Sequence, residues 1–162
     1  MKKYLFIISF LVIACNAFCQ TLYIDGIWYK VTSANTVQVD NNSTFVGAAV
    51  IPSTITSDNI SYSVTSVANK AFYDNRKLKS IVLPNTVKTI GKSAFEYCTI
   101  LTNITIPNSV SLIDDAAFKH CWELSTFTVP SSLTSINQYT FSYCLKLSSV
   151  TFPSNIKSIG DS

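Results

Sequence analysis

The sequence predicts an α/β repeat solenoid of 23-residue units, each a short strand followed by a short helical turn, with a small β cap before the repeats. The first observation is periodicity, since prolines and large apolar residues recur 23 positions apart after residue 61. The second is composition, because 48% of the 162 residues are hydrophobic and only 13% are charged. A chain of this length and composition can bury the core of one domain and does not resemble a disordered chain.

Residues 1–19 have the features of a secretory signal peptide. Lys2 and Lys3 supply its positive charge, and residues 4–14 are largely apolar but too short for a permanent membrane span. Small residues then precede a cleavage point after Cys19. We therefore expect a secreted or cell-surface protein that loses this leader.

A second interpretation of the leader stays open. Val12-Ile13-Ala14-Cys15 resembles a lipobox, and cleavage there would make Cys15 an N-terminus that carries a lipid anchor. An uncleaved leader would be a third outcome, and all three take the protein out of the cytoplasm. After the leader, no segment is apolar enough to predict a transmembrane span.

Residues 20–61 are expected to form an N-terminal β cap with an irregular first coil. The predicted strands are 27–31, 36–39 and 48–51. Pro52 resembles the strand-ending prolines of the later units, but Val64 comes 12 positions after it, whereas Val87 comes 3 positions after Pro84. The first coil therefore holds an insertion of nine residues (12 − 3). Such an end piece would shield the first ladder of the solenoid from water.

Residues 62–162 are expected to form about four repeat units, with the array cut off at the C-terminus. The unit reads Leu-x-x-Ile-x-Leu-Pro-x-x-Val-x-x-Ile-x-x-x-Ala-Phe-x-x-Cys-x-x. Apolar and polar residues alternate in 101–106, where β-branched types abound, and this pattern predicts a short strand. Pro107 ends the strand because proline cannot donate the next ladder hydrogen bond. Val110 and Ile113 would return the chain across the core.

The last part of each unit predicts a turn and a short helical segment. One column of the repeat holds Gly91, Asp114, Asn137 and Gly160. These residue types suit a helix N-cap or a turn with positive φ. The helical turn that follows would bury a pair such as Ala117 and Phe118. Because one unit cannot bury its own apolar face, neighbouring units must stack, with paired strands about 4.8 Å apart.

Stacking of similar units predicts ladders of identical side chains along the solenoid axis. The predicted structural ladder consists of Phe72, Phe95, Phe118, Phe141, Cys98, Cys121 and Cys144. A small apolar thiol fits a buried column, so we expect the three cysteines to be reduced. Their odd number in an exported chain leaves a disulfide or an intermolecular link as the alternative.

These motifs resemble the BspA-type subclass of leucine-rich repeats, a family of bacterial surface and secreted proteins. The resemblance rests on Leu101-Thr102-Asn103-Ile104-Thr105-Ile106-Pro107 and on Ile90-Gly91-Lys92-Ser93-Ala94-Phe95-Glu96-Tyr97-Cys98. It covers residues 62–160, with Asn75 in place of Cys and Thr140 in place of Ala. It implies a leucine-rich repeat fold and, for function, adhesion or protein binding at the bacterial surface, often toward host proteins.

Two classes of function are compatible with this resemblance. The first is an extracellular or cell-surface adhesion module whose partner is a protein, such as a host extracellular-matrix or plasma protein, or a glycan. The second is a structural spacer of a larger secreted or envelope protein, without a ligand of its own. A surface patch whose change to lysine abolishes binding would separate them, because a spacer has no such patch.

The candidate binding face consists of the strand residues that lie before and between the buried ones. These are Ser80, Val82, Asn103, Thr105, Thr126, Thr128, Ser149 and Thr151. Stacked units would present them as a concave face of hydroxyls with almost no charge, able to hydrogen-bond a peptide or a glycan. Threonine is also simply favourable on an exposed strand, which is the plainer interpretation.

Two aromatic sets are alternative contact surfaces. On the helical side of the repeats, the set is Tyr73, Arg76, Tyr97, His120 and Tyr143. In the cap, Trp28 and Tyr29 could form an exposed pair. Aromatic and Arg side chains are frequent binding anchors, but these positions could equally cover the core.

The C-terminal end interrupts the repeat. Ser162 precedes by two residues the position where the next phenylalanine of the series is due. Phe152, Ile156 and Ile159 would then lie on a last coil with nothing stacked beyond it. We expect a fragment of a longer array, and end-to-end dimerisation is the alternative.

Composition argues against several classes of function. The formal net charge is +3, but the leader holds two of the 12 cationic residues, which leaves 10 − 9 = +1 and does not favour nucleic-acid binding. His120 is the one histidine, and no cysteine pair has zinc spacing, so no metal site is expected. No activated nucleophile, isolated acidic pair or glycine-rich phosphate loop is recognisable, so we expect neither enzyme activity nor a cofactor.

Overall fold

The computed structural model describes residues 20–161, so the expectations for a signal peptide and for a lipid on Cys15 lie outside the described residues. The strands are β1 (Thr21–Ile24), β2 (Ile27–Ser33), β3 (Thr36–Val39), β4 (Gly47–Val50), β5 (Thr54–Ser57), β6 (Ile60–Val67), β7 (Leu78–Val82), β8 (Thr89–Ile90), β9 (Asn103–Thr105), β10 (Leu112–Ile113), β11 (Thr126–Thr128), β12 (Ser135–Ile136), β13 (Ser149–Thr151) and β14 (Ser158–Ile159). Between residues 20 and 161 the chain forms no helix.

The repeats wind into a solenoid whose strands pair in parallel with their equivalents in the next coil. The strands that precede the prolines form one series, in which β4, β7 and β9 share a sheet and β11 pairs with β13. Ile81 is opposite Ile104, and Phe127 is opposite Val150, each pair 23 positions apart. The five strands of this series mark five coils. The predicted solenoid and its 23-residue period are therefore confirmed.

A second series of short strands runs along another side of the solenoid. A seven-stranded sheet has the order β1-β2-β3-β6-β8-β10, with β5 also paired to β6, and β12 pairs with β14. Ile90 is opposite Val67 and Ile113 is opposite Ile90, so these short strands keep the period of the first series. This seven-stranded sheet has the most strands of those that the pairing creates among the described residues.

The predicted helical turn is wrong, because this part of each unit is a run of tight turns. In one coil, the N–H groups of Ala94, Glu96 and Cys98 donate to carbonyls three residues earlier in the same coil. The alternate N–H groups, of Ser93, Phe95 and Tyr97, instead donate to the carbonyls of Asp115, Ala117 and Lys119 in the next coil. An α-helix needs every amide for bonds within one segment, so this third ladder between coils excludes it.

Backbone dihedral angles also exclude a helix in this part of the unit. Two columns of non-glycine residues have positive φ, and both repeat every 23 positions. They are Lys70, Ser93, Ala116 and Tyr139 in one column, and Asp74, Tyr97, His120 and Tyr143 in the other. A residue in the left-handed region interrupts a right-handed helix, and one such residue occurs every fourth position in the turns. The alternation directs every second amide toward the next coil.

The column of Gly91 and Gly160 has a different role from the predicted one. The described residues form no helix, so this column caps no helix. The glycines with positive φ are Gly26 and Gly47 instead. Gly91 is required by close approach, since a Cβ atom there would lie 2.3 Å from Asn69 Oδ1 and 2.6 Å from its backbone nitrogen. In the same column the Asp114 carboxylate accepts the N–H of Asp115 at 2.8 Å.

Residues 20–67 add three antiparallel strand pairs to the second sheet. β1, β2 and β3 are antiparallel neighbours, and β3 then pairs in parallel with β6. Between Pro52 and Val64, β5 and the first half of β6 form an antiparallel hairpin. The pair between Ser66 and Thr89 shows that the regular period begins again at the end of this hairpin.

The core lies between the strand series and the turns. The rings of Phe72, Phe95 and Phe118 are fully buried and stack at centroid distances of 5.3 and 5.4 Å. Phe141 continues the stack at 5.9 Å from Phe118 but is only half-buried. On the last described coil, Phe152 and Ile159 are 45% and 62% exposed.

Candidate functional site

The structure places the eight predicted contact residues on one surface, which we call the strand face: Ser80, Val82, Asn103, Thr105, Thr126, Thr128, Ser149 and Thr151. They form two columns along β7, β9, β11 and β13. Ser80 is opposite Asn103, and Val82 is opposite Thr105. Thr126 is opposite Ser149, and Thr128 is opposite Thr151. Seven of the eight side chains are exposed, and Ser80 is half-buried.

The polar side chains of the strand face are free of internal hydrogen bonds. Within residues 20–161, other Ser and Thr columns donate to a carbonyl of the preceding coil, as Ser109 does to Val87 at 2.7 Å and Thr102 does to Lys79 at 3.1 Å. No hydroxyl or amide of the strand face has such a partner among the described residues. Their hydrogen-bonding capacity is therefore available to a ligand.

Two further residues extend the strand face by one strand. Ala48 and Val50 of β4 are exposed and lie opposite Ser80 and Val82. Val50 is 72% exposed, so this end of the surface is aliphatic rather than hydroxyl-rich. The sequence contains the signal for them, because Val50 precedes Pro52 by two positions just as Val82 precedes Pro84.

The turn side carries a column of aromatic rings. His120 lies between Tyr97 and Tyr143, with ring centroids 4.4 and 4.5 Å apart and planes within 7° of parallel. Tyr73 meets Tyr97 edge to face at 5.8 Å. Both faces of the His120 ring are therefore covered, whereas Tyr143 stacks on His120 alone among the described residues and is 62% exposed. Arg76 pairs with Asp74, which holds the repeat position of Tyr97 in the preceding coil, and its Nε lies 2.7 Å from the Asp74 carboxylate.

The proposed alternative of an exposed Trp28–Tyr29 pair is wrong, since successive side chains on a strand point to opposite faces. Tyr29 is 1% exposed, and burial raises the pKa of its hydroxyl well above the usual value, with a smaller contribution from the charge of Asp25. Trp28 is 38% exposed and instead contacts Tyr23, with ring centroids 4.7 Å apart.

The three predicted ladder cysteines have free thiols. Each Sγ lies 3.1–3.2 Å from a phenylalanine carbonyl of the preceding coil, as Cys121 does from Phe95. In the first coil Asn75 fills the same column, and its Nδ2 donates to the carbonyls of Asn42 and Phe45 at 2.7 and 3.0 Å. Burial raises the pKa of Cys98 and Cys121 far above the usual value and that of Cys144 to about 11. These thiols are poor nucleophiles.

Among residues 20–161 no three His, Cys, Asp or Glu side chains are placed to hold one metal ion. No helix long and apolar enough to span a bilayer occurs in the same residues.

Solved structures of several bacterial leucine-rich repeat proteins are similar to this one. A leucine-rich cell surface protein from Faecalibacterium prausnitzii is 28% identical, with a TM-score of 0.67 over 86% of this chain and 44% of its own. The pneumococcal vaccine antigen PcpA is 27% identical, with a TM-score of 0.69 over 88% of this chain and 40% of its own. The chain thus spans less than half of either protein. A Bacteroides capillosus leucine-rich repeat protein, 23% identical with a TM-score of 0.68 over 88% of this chain and 98% of its own, shares the fold.

A search of curated proteins finds no significant match. The model of the BspA type leucine rich repeat region, however, matches residues 42–162 with six copies. That match covers well over half of the chain and includes all five strands of the first series. The chain therefore belongs to the BspA-type leucine-rich repeat family.

Proposed function

We propose that this chain is a protein-binding module of an exported bacterial protein and that its ligand lies on the strand face. The observation that carries the proposal is a continuous, uncharged surface whose polar side chains have no partner among the described residues. The likeness to a leucine rich cell surface protein supports a location outside the cell. Export itself remains a prediction from the leader.

The strand face has the dimensions of a peptide site. Five strands about 4.8 Å apart span roughly 19 Å, which is the length of about six residues in an extended segment. Each strand presents two outward side chains, so a ligand lying across the strands meets ten of them, from Ala48 and Val50 to Ser149 and Thr151. Hydroxyls at one end would hydrogen-bond a peptide backbone, while Val50 and Val82 would contact apolar side chains.

Rigidity supports the same function. The backbone beneath the strand face is held by parallel pairing and by the packing of Ile81, Leu83 and Phe127, which are at most 3% exposed. Short β-branched side chains also have few rotamers to lose. Binding therefore costs little conformational entropy, which favours affinity from a surface without charged anchors. A host extracellular-matrix or plasma protein is the partner class that we propose.

The test is binding by a variant that places two positive charges at the centre of the strand face. Purified residues 20–162 and the Thr105→Lys/Thr128→Lys variant are passed over immobilised matrix and plasma proteins and a glycan array. A matched control is Ser111→Lys/Thr134→Lys, because both residues are exposed and belong to a column that already contains Lys88 and Lys157. It adds the same charge on a different side of the coils.

We expect saturable binding to at least one immobilised protein. The strand-face variant should have at least tenfold lower affinity for it, and the control variant should keep the affinity of the parent. Equal losses in both variants would show a general effect of charge and contradict the assignment of the face. Absence of binding to any protein would favour the spacer. Binding to a glycan and to no protein would show that the partner is a glycan rather than a protein.

A further inference from the structure

A second surface lies on the outer face of the seven-stranded sheet, away from the strand face. Four strands of this sheet, β3, β6, β8 and β10, are each followed directly by a residue of one row. These residues are, in the same order, Asp40, Ala68, Gly91 and Asp114. Their N–H groups donate, each at 2.9 Å, to the carbonyls of Trp28, Val39, Val67 and Ile90 on the preceding strands. The four residues therefore form one row across the sheet, and Trp28 begins it.

A groove of about 390 Å³ follows this row. Ala68 and Gly91 line it between the ends of the row, and Gly91 accepts no side chain because a Cβ atom there would lie 2.3 Å from Asn69 Oδ1. Asp40 and Asp114 lie at its two ends, and they are the only charged residues among those that line it. Three strand spacings of about 4.8 Å separate them, or roughly 14 Å.

Neither carboxylate is neutralised by a neighbouring cation. Among residues 20–161, the four ion pairs involve neither Asp40 nor Asp114, and Lys92 pairs instead with Asp115 at 3.5 Å. Lysines also lie near the groove, since Lys30 of β2 is opposite Gln38, and Lys70 and Lys92 directly follow the lining residues Asn69 and Gly91. The residues that line the groove thus include two carboxylates and no lysine, and the ammonium groups of Lys70 and Lys92 lie at the Tyr73 ring and at Asp115, which favours a positively charged ligand.

An aromatic pair adjoins the acidic end. The rings of Tyr23 and Trp28 lie 4.7 Å apart at an angle of 40°, and their residues are 51% and 38% exposed. Trp28 is next to Asp40 across the β2–β3 pairing, since its carbonyl accepts the Asp40 N–H. A tryptophan face beside a carboxylate attracts an ammonium or guanidinium group by both the ring quadrupole and the charge.

We propose that this groove binds an extended segment of a partner protein through two basic side chains about four residues apart. An extended chain rises about 3.3 Å per residue, so side chains four residues apart are about 13 Å apart, close to the separation of the two carboxylates. One cation lies between Trp28 and Asp40, and the other lies at Asp114. This surface is separate from the strand face, so the two proposals can fail independently.

The test is a fluorescence titration that uses Trp28 as the reporter. The protein has two tryptophans, and Trp122→Phe removes the other, which is 43% exposed. The ligand is the peptide acetyl-Lys-Thr-Thr-Thr-Lys-amide, titrated to millimolar concentration at low and at physiological salt. Its neutral match is the same peptide with both lysine side chains acetylated.

We expect the cationic peptide to change Trp28 emission saturably, with weaker binding at higher salt, and the acetylated peptide to have no effect. Asp40→Asn and Asp114→Asn should each weaken binding by about two- to fivefold, as for exposed ion pairs. Lys30→Gln should strengthen binding by a similar factor because it removes the repelling charge. Asp58→Asn, at the exposed turn of the β5–β6 hairpin, should change nothing.

Three results would overturn the proposal. Equal binding of the acetylated peptide would show that charge is not recognised. Equal affinities of the Asp40→Asn, Asp114→Asn and Asp58→Asn variants would place the ligand elsewhere. A saturable response to a neutral oligosaccharide with none to the peptide would assign the groove to a different class of ligand. Circular dichroism of each variant verifies that the fold is retained.

Discussion

At the scale of single residues, the phenylalanine column shows how strongly each coil depends on its neighbours. Phe118 is fully buried, stacks on Phe95 at 5.4 Å and on Phe141 at 5.9 Å, and meets Phe127 at 5.2 Å. Its ring therefore contacts aromatic side chains from both adjacent coils, one from the preceding coil and two from the following coil. Removal of this ring would therefore remove packing contacts among three successive coils.

We predict that Phe118→Ala lowers the free energy of unfolding by about 3–5 kcal/mol, the usual cost of removing a buried aromatic ring. Denaturant unfolding followed by circular dichroism measures the change. Phe141→Ala is the matched control, and its smaller expected loss follows from its half-buried position. A melting temperature of Phe118→Ala within a degree or two of the parent would contradict this role of the column.

The cysteine column predicts an alkaline limit to stability. Burial, the largest cause, raises the pKa of all three thiols in the folded state, to about 11 for Cys144. The unfolded thiols lose protons near pH 8.5, so above that pH the unfolded state binds fewer protons than the folded state. The contribution of the thiols to the free energy of unfolding is therefore constant below about pH 8, and it falls as the pH rises toward 11.

The measurement is the midpoint of urea unfolding between pH 7 and 10.5. To isolate the contribution of the thiols, the comparison is with the Cys98→Ala/Cys121→Ala/Cys144→Ala variant, whose decline should be shallower. Parallel pH profiles of the two proteins would show that the thiols do not contribute. Reaction of all three cysteines with a thiol reagent in the native state would contradict their burial.

At the scale of the elements, the turn segment is the part for which the prediction from sequence was wrong. The spacing of Ala117 and Phe118 and the small residues before them are compatible with a helical turn. Positive φ at Ala116 and His120 makes a helix impossible, and alternate amides bond to the next coil instead. Neither feature has a sequence signature here, because the residues in the left-handed region include Lys, Ser, Ala, Tyr and His rather than glycine.

Two adjacent alanines test this turn geometry. Ala116 has φ of +54°, whereas its neighbour Ala117 is fully buried outside the left-handed region. Ala116→Gly relieves a conformation that costs an L-residue roughly 1–2 kcal/mol, which offsets the greater entropy of an unfolded glycine. We expect Ala116→Gly to be neutral or stabilising, and Ala117→Gly to cost about 1 kcal/mol.

Thermal unfolding of both variants gives the comparison. In a helix each substitution would destabilise by about 1 kcal/mol, so equal losses would favour the helical turn that the structure excludes.

The insertion in the first coil is a second case at this scale. The sequence locates the extra residues between Pro52 and Val64 by counting alone. It does not show that they pair as β5 and β6, or that β3 lies parallel to β6, since these pairings join segments far apart in the chain. The pairing of β3 with β6 continues the second sheet into the N-terminal hairpins. The groove beside Asp40 exists for that reason.

At the scale of the whole molecule, the solenoid separates two surfaces of different chemistry. The strand face is uncharged, while the groove on the seven-stranded sheet has carboxylates at both ends and an aromatic pair beside one of them. Both surfaces are assembled from successive coils, so each depends on the register between coils rather than on any one unit. A destabilised coil, such as that of the Phe118→Ala variant, would therefore weaken both binding activities together.

The sequence by itself determined the repeat, its period, the residues that form the buried columns and the outward residues of the strand face. These follow from side-chain alternation and from equal spacing, which are local properties of the chain. Only the tertiary structure decided that the turns bond between coils and that Trp28 and Asp40 adjoin the row that ends at Asp114. Those outcomes depend on hydrogen bonds between segments distant in sequence, and a single sequence carries no record of such pairings.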